Sequence, residues 1–499
     1  MTRAAALMVL GTASHVGKSV MTAALCRIFR EDGIDVAPFK AQNMALNSFA
    51  TPDGLEIGRA QAVQAEAARV TPSADMNPVL LKPVCDTGSQ VVLNGRVFGT
   101  LTAKDFYGQR SIFVTATHEA YTRLAARHEL VVLEGAGSPV EMNLKQFDYV
   151  NLAMAEYADA RCILVADIDR GGVFAQLVGT FALLEPHERA RFVGFVINRF
   201  RGDPALLGDA VEDLERRTGQ RCLGVVPYLR ELGIAEEDSV VLDVAPRPSD
   251  GGAPNLRIGA VLLPALSNFS DFDALARVRG VRFEYVRDAK QIRELDVVII
   301  PGSKSTVRDL AYLRANGIAD AICAHARERK PVIGICGGFQ MLGRTIDDPE
   351  AVEATARHVR GLELLDVTTS MHPAKLTQQV VGRFADGRFG DVEVGGYEIH
   401  VGVTRRGNVD PLLRITRTAS NETLEDGAIT HDGRILGTYV HGLFDQPAAE
   451  RALLNHLCGL CGRTPLAADA IEARPDPYAR LAAHVRQHLD VAALREALA

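Results

Sequence analysis

The sequence predicts an α/β protein built from two doubly wound domains in succession. Three observations carry this. Short apolar runs alternate with helix-patterned stretches through both halves of the chain. One run in each half leads into a glycine-flanked turn followed by a helix, at Gly11–Ser19 and at Gly334–Gln340. Between the halves lies Pro246-Arg-Pro-Ser-Asp-Gly-Gly-Ala-Pro254, rich in turn formers and poor in apolar residues. The boundaries this suggests are a first domain over 1–245, a linker over 246–256, a second domain over 257–448 and a helical tail over 449–499.

In the first half, strands are predicted at Leu7–Leu10, Val36–Phe39, Leu130–Leu133, Cys162–Val165, Val193–Ile197 and Cys222–Val226. Helices fill much of the space between, as at Gly58–Val70 and Ser111–His128. The stretch Gly11-Thr-Ala-Ser-His-Val-Gly-Lys-Ser19 joins the first strand to a helix. Backbone N–H groups of such a turn, at the positive end of a helix, cradle a polyphosphate. Gly11, Thr12 and Gly17 then shape the loop, Lys18 reaches the terminal phosphates and Ser19 places its hydroxyl on Mg2+. The two glycines stand one residue further apart than the usual spacing.

In a doubly wound sheet, ligands bind beyond the carboxyl ends of the strands. After the second strand, Phe39-Lys-Ala-Gln-Asn-Met-Ala-Leu-Asn-Ser48 concentrates side-chain donors, so Lys40, Gln42, Asn43 and Asn47 are candidate substrate-binding residues. After the third comes Glu134-Gly-Ala-Gly-Ser-Pro-Val-Glu141. An acid at the tip of a buried strand suits a Mg2+ ligand, which pairs Glu134 with Ser19. After the fourth comes Asp167-Ile-Asp-Arg-Gly-Gly-Val-Phe174, with Asp169 and Arg170 placed to touch substrate. After the fifth comes Asn198, placed to pair with the edge of an adenine ring of ATP or, nearly as well, to serve as an N-cap or turn residue.

The second half opens with strand-like Leu256–Leu263, followed by Val297–Ile300 and by Pro331-Val-Ile-Gly-Ile335. The last runs directly into Cys336-Gly-Gly-Phe-Gln-Met-Leu342, a nucleophile elbow with cysteine at its apex. The sharp turn exposes the thiol, and the helix N-terminus favours its thiolate. The N–H of Gly337, with one from Gly302 or Ser303, would form an oxyanion hole. His441, after another apolar run in Gly437-Thr-Tyr-Val-His-Gly-Leu-Phe-Asp445, is the candidate base. Tyr397-Glu-Ile-His400 is a further polar cluster, equally well read as a strand edge.

Bulk properties exclude several classes. A hydrophobic content of 47% with 23% charged residues is that of an ordinary globular protein. The net charge of −7 argues against general nucleic-acid binding. No apolar run approaches the roughly 20 residues of a membrane span. The eight cysteines lack framework spacing and no signal peptide is apparent, so reduced thiols in a cytoplasm are expected. Cys458-Gly-Leu-Cys461 is a lone CxxC with no second pair, read as helix residues rather than zinc ligands.

These residues resemble known families. Gly334-Ile-Cys-Gly-Gly-Phe-Gln340 and Tyr439-Val-His-Gly-Leu-Phe444 resemble the class I (triad-type, flavodoxin-like) glutamine amidotransferase domain. Gly11–Ser19 resembles the phosphate loop of the dethiobiotin synthetase-like ATPases, a P-loop NTPase-like fold. Phe39–Ser48, Glu134-Gly-Ala-Gly-Ser-Pro139 and Tyr397-Glu-Ile-His400 are similar to segments of the cobyric acid synthase family. That resemblance implies amidation of the b, d, e and g carboxylates of adenosylcobyrinic acid a,c-diamide, with ATP and Mg2+ activating each carboxylate and glutamine supplying ammonia. The corrinoid and glutamine are then the expected partners, and oligomeric state stays open. The usual third member of the amidotransferase triad, a glutamate two residues after the histidine, is replaced by Leu443; Asp445 and Glu398 are the candidates to orient His441. Two rivals stand beside this reading. A sibling amidase, cobyrinic acid a,c-diamide synthase, shares both domains, although Phe39–Ser48 favours cobyric acid synthase. A partition-type ATPase switch carries an early loop lysine where this chain has Ala13.

Overall fold

Runs of Val, Ile, Leu and Ala with no polar residue to face water form strands buried on both sides, and here they form parallel sheets. The computed structural model describes residues 4–85, 88–229, 233–234, 255–353, 357–471 and 476–499; the proline-rich stretch 246–254 lies outside them. The chain divides into two units. One comprises Met1–Ala45, Glu56–Asp238 and Arg474–Ala499, and the other Leu46–Leu55 and Ser239–Ala473.

The first unit is built on a six-stranded parallel sheet: β1 (Ala5–Gly11), β2 (Val36–Phe39), β3 (Leu130–Glu134), β4 (Arg161–Asp167), β5 (Phe192–Phe200) and β6 (Cys222–Pro227). Their spatial order is β6-β5-β4-β1-β3-β2. The chain runs from β3 on one side of β1 to β4 on the other, so the switch point lies at the carboxyl ends of these three strands. Those ends are Gly11, Glu134 and Asp167. Helix α1 (Lys18–Glu31) follows β1 and buries Met21, Leu25, Ile28 and Phe29; helix α2 (Arg59–Ala68) packs beside it.

The second unit carries another mainly parallel sheet: β7 (Leu256–Val261), β8 (Val281–Val286), β9 (Val297–Ile300), β10 (Val332–Ile335), β13 (Ala428–Ile429) and β14 (Ile435–Thr438). The order is β8-β7-β9-β10-β14-β13, with β13 antiparallel. The chain steps outward from β7 to β8 and returns to β9 on the other side, so this switch point falls between β7 and β9. Helix α3 (Gly337–Leu342) leaves the end of β10 directly. Beside this sheet lies a seven-stranded mixed one whose antiparallel run includes β11 (Val367–Phe384), β12 (Glu393–Arg406) and β15 (Val440–His441), in which Tyr397 pairs with His441.

Two segments depart from the linear order of domains. Leu46–Leu55, early in the chain, belongs to the second unit, where Ser48 N, Asn47 Oδ1 and Ala50 O are hydrogen-bonded. The tail expected over 449–499 is helical but divided. The helix Pro447–Leu460, with Cys458 inside it and Cys461 at its C-cap, stays with the second unit. Helices α4 (Pro477–His488) and α5 (Val491–Leu498) return to the first, burying Leu481, Val485 and Leu494 in the core that α1 faces. No helix among the described residues is long and apolar enough to cross a membrane.

Asp476 anchors the returning helices. It caps α4, accepting from Tyr478 N at 3.0 Å and Ala479 N at 3.2 Å, and forms an ion pair with the buried guanidinium of Arg27 on α1. Asp476→Ala removes the cap and a counter-charge together. It is expected to lower stability by about 1–3 kcal/mol and to expose the last two helices to protease first, as read by thermal unfolding and limited proteolysis.

Candidate active site

The carboxyl end of β1 turns at Gly11, and Thr12 N donates to Val165 O of β4 at 3.0 Å. Gly17 caps α1 at φ 97°, a left-handed conformation, and an added Cβ would lie 2.3 Å from Asn198 Nδ2; only glycine fits. Asn198, at the end of β5, is therefore committed to the loop: its Nδ2 donates to Val16 O at 2.9 Å. This contact lies beside the phosphate loop, where the sequence-based expectation set the amide against either an adenine edge or a turn. Thr12 Oγ1 donates to Gln176 Oε1 at 3.0 Å.

The loop encloses charge. Lys18 Nζ donates to Ala13 O at 2.8 Å and to Gly137 O at 3.0 Å, so the ammonium spans β1's loop and the loop after β3. Glu134 is buried at the end of β3. Its Oε1 accepts from Ser19 Oγ at 2.8 Å and from Lys40 Nζ at 2.9 Å, and its Oε2 from Gln64 Nε2 at 2.6 Å. Burial opposes its charge, yet the Lys40 ammonium and these donors hold the carboxyl below the usual carboxylate range. A hydroxyl and an ionised carboxylate side by side, at a phosphate loop, form the oxygen donor set that suits a hard divalent cation completing its shell with phosphate and water.

The other expected substrate-binding residues divide. Gln42 Oε1 accepts from Tyr149 OH at 2.5 Å, and Asn43 Nδ2 donates to Gln61 Oε1 at 3.0 Å, both in this unit. Asp169 accepts from Arg201 Nε at 2.7 Å, and half-exposed Arg170 lies 3.9 Å from Asp167. Asn47 is not among them: it sits buried in the second unit, where its Oδ1 accepts from Phe269 N at 3.2 Å.

In the second unit the elbow forms as its sequence implies. Cys336 adopts φ 51° and ψ −108°, a conformation costly for a residue with a Cβ, between the last residue of β10 and the first of α3. Its N–H donates to Thr438 O at 2.8 Å, which fixes the turn to β14. At Gly338 a Cβ would fall 1.9 Å from Ile300 O, so a side chain there would drive α3 off the end of β9. An added Cβ on Gly337 would lie 3.0 Å from Ser303 N, and one on Gly302 would lie 3.1 Å from His441 Cε1. Gly302, Ser303, Gly337, Cys336 and His441 are thus gathered at one point. Ser303 is itself held, donating from Oγ to Asp309 Oδ2 at 2.6 Å.

His441 is buried near the Cys336 thiol, whose own hydrogen bond goes to Ile399 O at 3.6 Å. Its Nδ1 lies 2.7 Å from Asp271 Oδ2, and Asp271 Oδ1 accepts from Gly442 N at 3.2 Å. The ring of Tyr397 stacks over the imidazole with centroids 5.4 Å apart and planes 19° from parallel. Neither expected orienting residue fills this role: Glu398 accepts from Arg417 Nε at 2.8 Å, and the Nδ1 partner is Asp271 rather than Asp445. Burial would lower the imidazole; the Asp271 carboxylate and then the Cys336 thiol outweigh burial and raise it to about 10. Asp271 was missed because 170 residues separate it from His441. A signal existed: Asn268-Phe-Ser-Asp-Phe272 follows β7, and the rule that inspects polar residues after each strand applies there as it does to Glu134.

A thiol beside an imidazole held by a buried carboxylate, with backbone N–H groups close by, is an arrangement for acyl transfer. Comparison with known proteins agrees. Residues 7–241 match the CobQ/CobB/MinD/ParA nucleotide binding domain, and residues 257–449 the CobB/CobQ-like glutamine amidotransferase domain. Over nearly their whole length, curated relatives called cobyric acid synthase align with this chain. That of Syntrophobacter fumaroxidans is 48% identical, covering 99% of this chain and 98% of its own. That of Sorangium cellulosum is 49% identical over 98% and 97%, respectively. The chain belongs to the cobyric acid synthase family. As a member it is a glutamine-dependent amide ligase, with a nucleotide-binding domain followed by a glutamine amidotransferase domain.

The carboxylate–imidazole pair sets a pH dependence for glutamine hydrolysis. His441 stays protonated until pH passes about 10. Asp271→Asn removes the largest influence that raises it, so the alkaline limb of kcat/KM should fall by about 1–3 pH units. The rate at neutral pH should drop by about 10²- to 10⁴-fold. An alkaline limb that stays in place would remove Asp271 from this role.

Proposed function

We propose that the chain amidates the b, d, e and g carboxylates of adenosylcobyrinic acid a,c-diamide, using glutamine as nitrogen donor and ATP to activate each acid. The observation that carries the reading is the presence in one chain of both centres. The first is the Cys336–His441–Asp271 line beside Gly337 and Ser303; the second is the phosphate loop with Lys18, Ser19 and Glu134. The full-length relatives that carry the name cobyric acid synthase support the choice of substrate.

In the second unit, Cys336 Sγ attacks the side-chain carboxamide of glutamine while the backbone N–H groups of Gly337 and Ser303 receive the oxyanion. His441, oriented by Asp271, takes the thiol proton and gives it to the departing ammonia. Water then hydrolyses the thioester to glutamate and restores the thiol. In the first unit a substrate carboxylate attacks the γ-phosphorus of ATP, and ADP leaves. Lys18 and the loop N–H groups between Gly11 and Ser19 stabilise the charge on the transferring phosphoryl group. Ser19 and Glu134 would hold Mg2+, which when bound neutralises phosphate charge. Ammonia attacks the acyl phosphate to give amide and inorganic phosphate. The activation is required because carboxylate oxygen is a poor leaving group and phosphate a good one.

The division of labour has a direct test. Cys336→Ala should abolish amidation with glutamine and retain it with added ammonium salt. Lys18→Ala should abolish both. Mass spectrometry of the product from adenosylcobyrinic acid a,c-diamide should show four new amides; none on that substrate, with two on cobyrinic acid itself, would indicate the sibling diamide synthase reaction, and loss of the ammonia-driven reaction in folded Cys336→Ala would refute the scheme.

A further inference from the structure

The run Lys40–Ser48 reads as one loop, yet its end belongs elsewhere. Leu46–Leu55 is part of the second unit, and the strand Ser48–Ala50 lies within it. Asn47 Oδ1 accepts from Phe269 N at 3.2 Å, and Ser48 N donates to Asn268 Oδ1 at 3.3 Å. Asn268 Nδ2 in turn donates to Tyr397 OH at 3.3 Å. The ring of Phe49 packs on Tyr397 with centroids 5.4 Å apart, and Gln379 Nε2 donates to Ala50 O at 3.0 Å. Asn47, Ser48 and Asn268 are all buried.

What these bonds hold is the setting of His441. Asn268 begins the turn Phe269–Phe272 that carries Asp271, and Tyr397 is the ring stacked on the imidazole. Asn268 sits at φ 53° and ψ 43°, a left-handed conformation that asparagine tolerates better than most residues. Its side chain is fixed from both ends, by Ser48 and by Tyr397. The turn is only four residues long, so its geometry depends on what grips it from outside. Asn47 Nδ2, buried, has no acceptor among the described residues. An unmet buried donor works against the clasp and limits its net strength.

The geometry points to Asn47 and Asn268 as positioning residues for glutamine hydrolysis. Together with Phe49 they form a clasp that holds Asp271 and Tyr397 on the two sides of His441. The inference rests on the reading of His441 as the acid–base partner of Cys336. It assigns to the sequence between Leu46 and Leu55 a role in nitrogen release rather than in corrinoid binding. The clasp acts through His441, so its loss changes the protonation range and turnover of glutamine hydrolysis more than the KM for glutamine.

Asn47→Ala and Asn268→Ala should each lower the ratio of glutamine-driven to ammonia-driven amidation by about five- to tenfold, the effect of roughly one net hydrogen bond. The alkaline limb of glutamine hydrolysis should move to lower pH, with the KM for glutamine within about twofold of the parent value. An unaltered ratio and limb in both alanine variants, or equal losses with glutamine and ammonia, would overturn the proposal. Should an alanine variant fail to fold, Phe49→Leu, which loosens the packing on Tyr397, decides: an unaltered ratio and limb there remove the clasp. The two readings fail separately. Glutamine hydrolysis that survives Cys336→Ala sinks the underlying chemistry, whereas unaltered clasp variants beside an inactive Cys336→Ala sink only the clasp.

Discussion

The pair formed by the Asp271 carboxylate and the His441 imidazole, 2.7 Å apart and both buried, is the constraint on which the thiol chemistry rests. A lone imidazole at this depth would be neutral, because burial disfavours its charged form. The carboxylate reverses that preference, and its contact with Nδ1 fixes the orientation of the ring. Breaking such a pair leaves an uncompensated buried charge, which is why the surrounding structure grips both members so closely. Tyr397 stacks on one and Gly442 N–H binds the other.

The same architectural rule produces both centres. Each unit places its reactive side chains in loops that leave the carboxyl ends of parallel strands around a switch point. In the first unit these are the loops after β1 and β3, bringing Lys18 and Ser19 to Glu134. In the second they are the loops after β7, β9 and β10, bringing Asp271, Ser303 and Cys336 together. The buried strands make a rigid floor, and strain is stored where the chain turns off it. Cys336 is held in a disfavoured backbone conformation by its bond to β14 and by the close approach of Gly338 to Ile300.

Much of this was legible from residue patterns. The strands of the first sheet were readable because each is a short apolar run flanked by turn formers or a helical pattern. Cys336 and Lys18 were readable for a related reason: strand, glycine turn and helix are encoded within a dozen residues. Legibility failed where a role depends on a distant partner. Asn198 follows a strand as the other candidates do, but its bond to Val16 O across 182 residues could not be read from its neighbours in sequence. Asn47 shares a polar run with Lys40, and its Oδ1 accepts from Phe269 N, 222 residues away. Glu398 and Asp445 were near His441 in sequence or motif, and the carboxylate on its Nδ1 came from 170 residues away.

The sequence by itself determined the two α/β halves, the phosphate loop, the thiol elbow and its histidine, because periodicity and local turn chemistry act over a few residues and need no knowledge of the rest. Only the tertiary structure decided which carboxylate faces His441, that Leu46–Leu55 joins the second unit, and that the last two helices return to the first. Those choices depend on which buried polar groups and apolar faces satisfy one another across the fold, and strand order, not proximity along the chain, settles that.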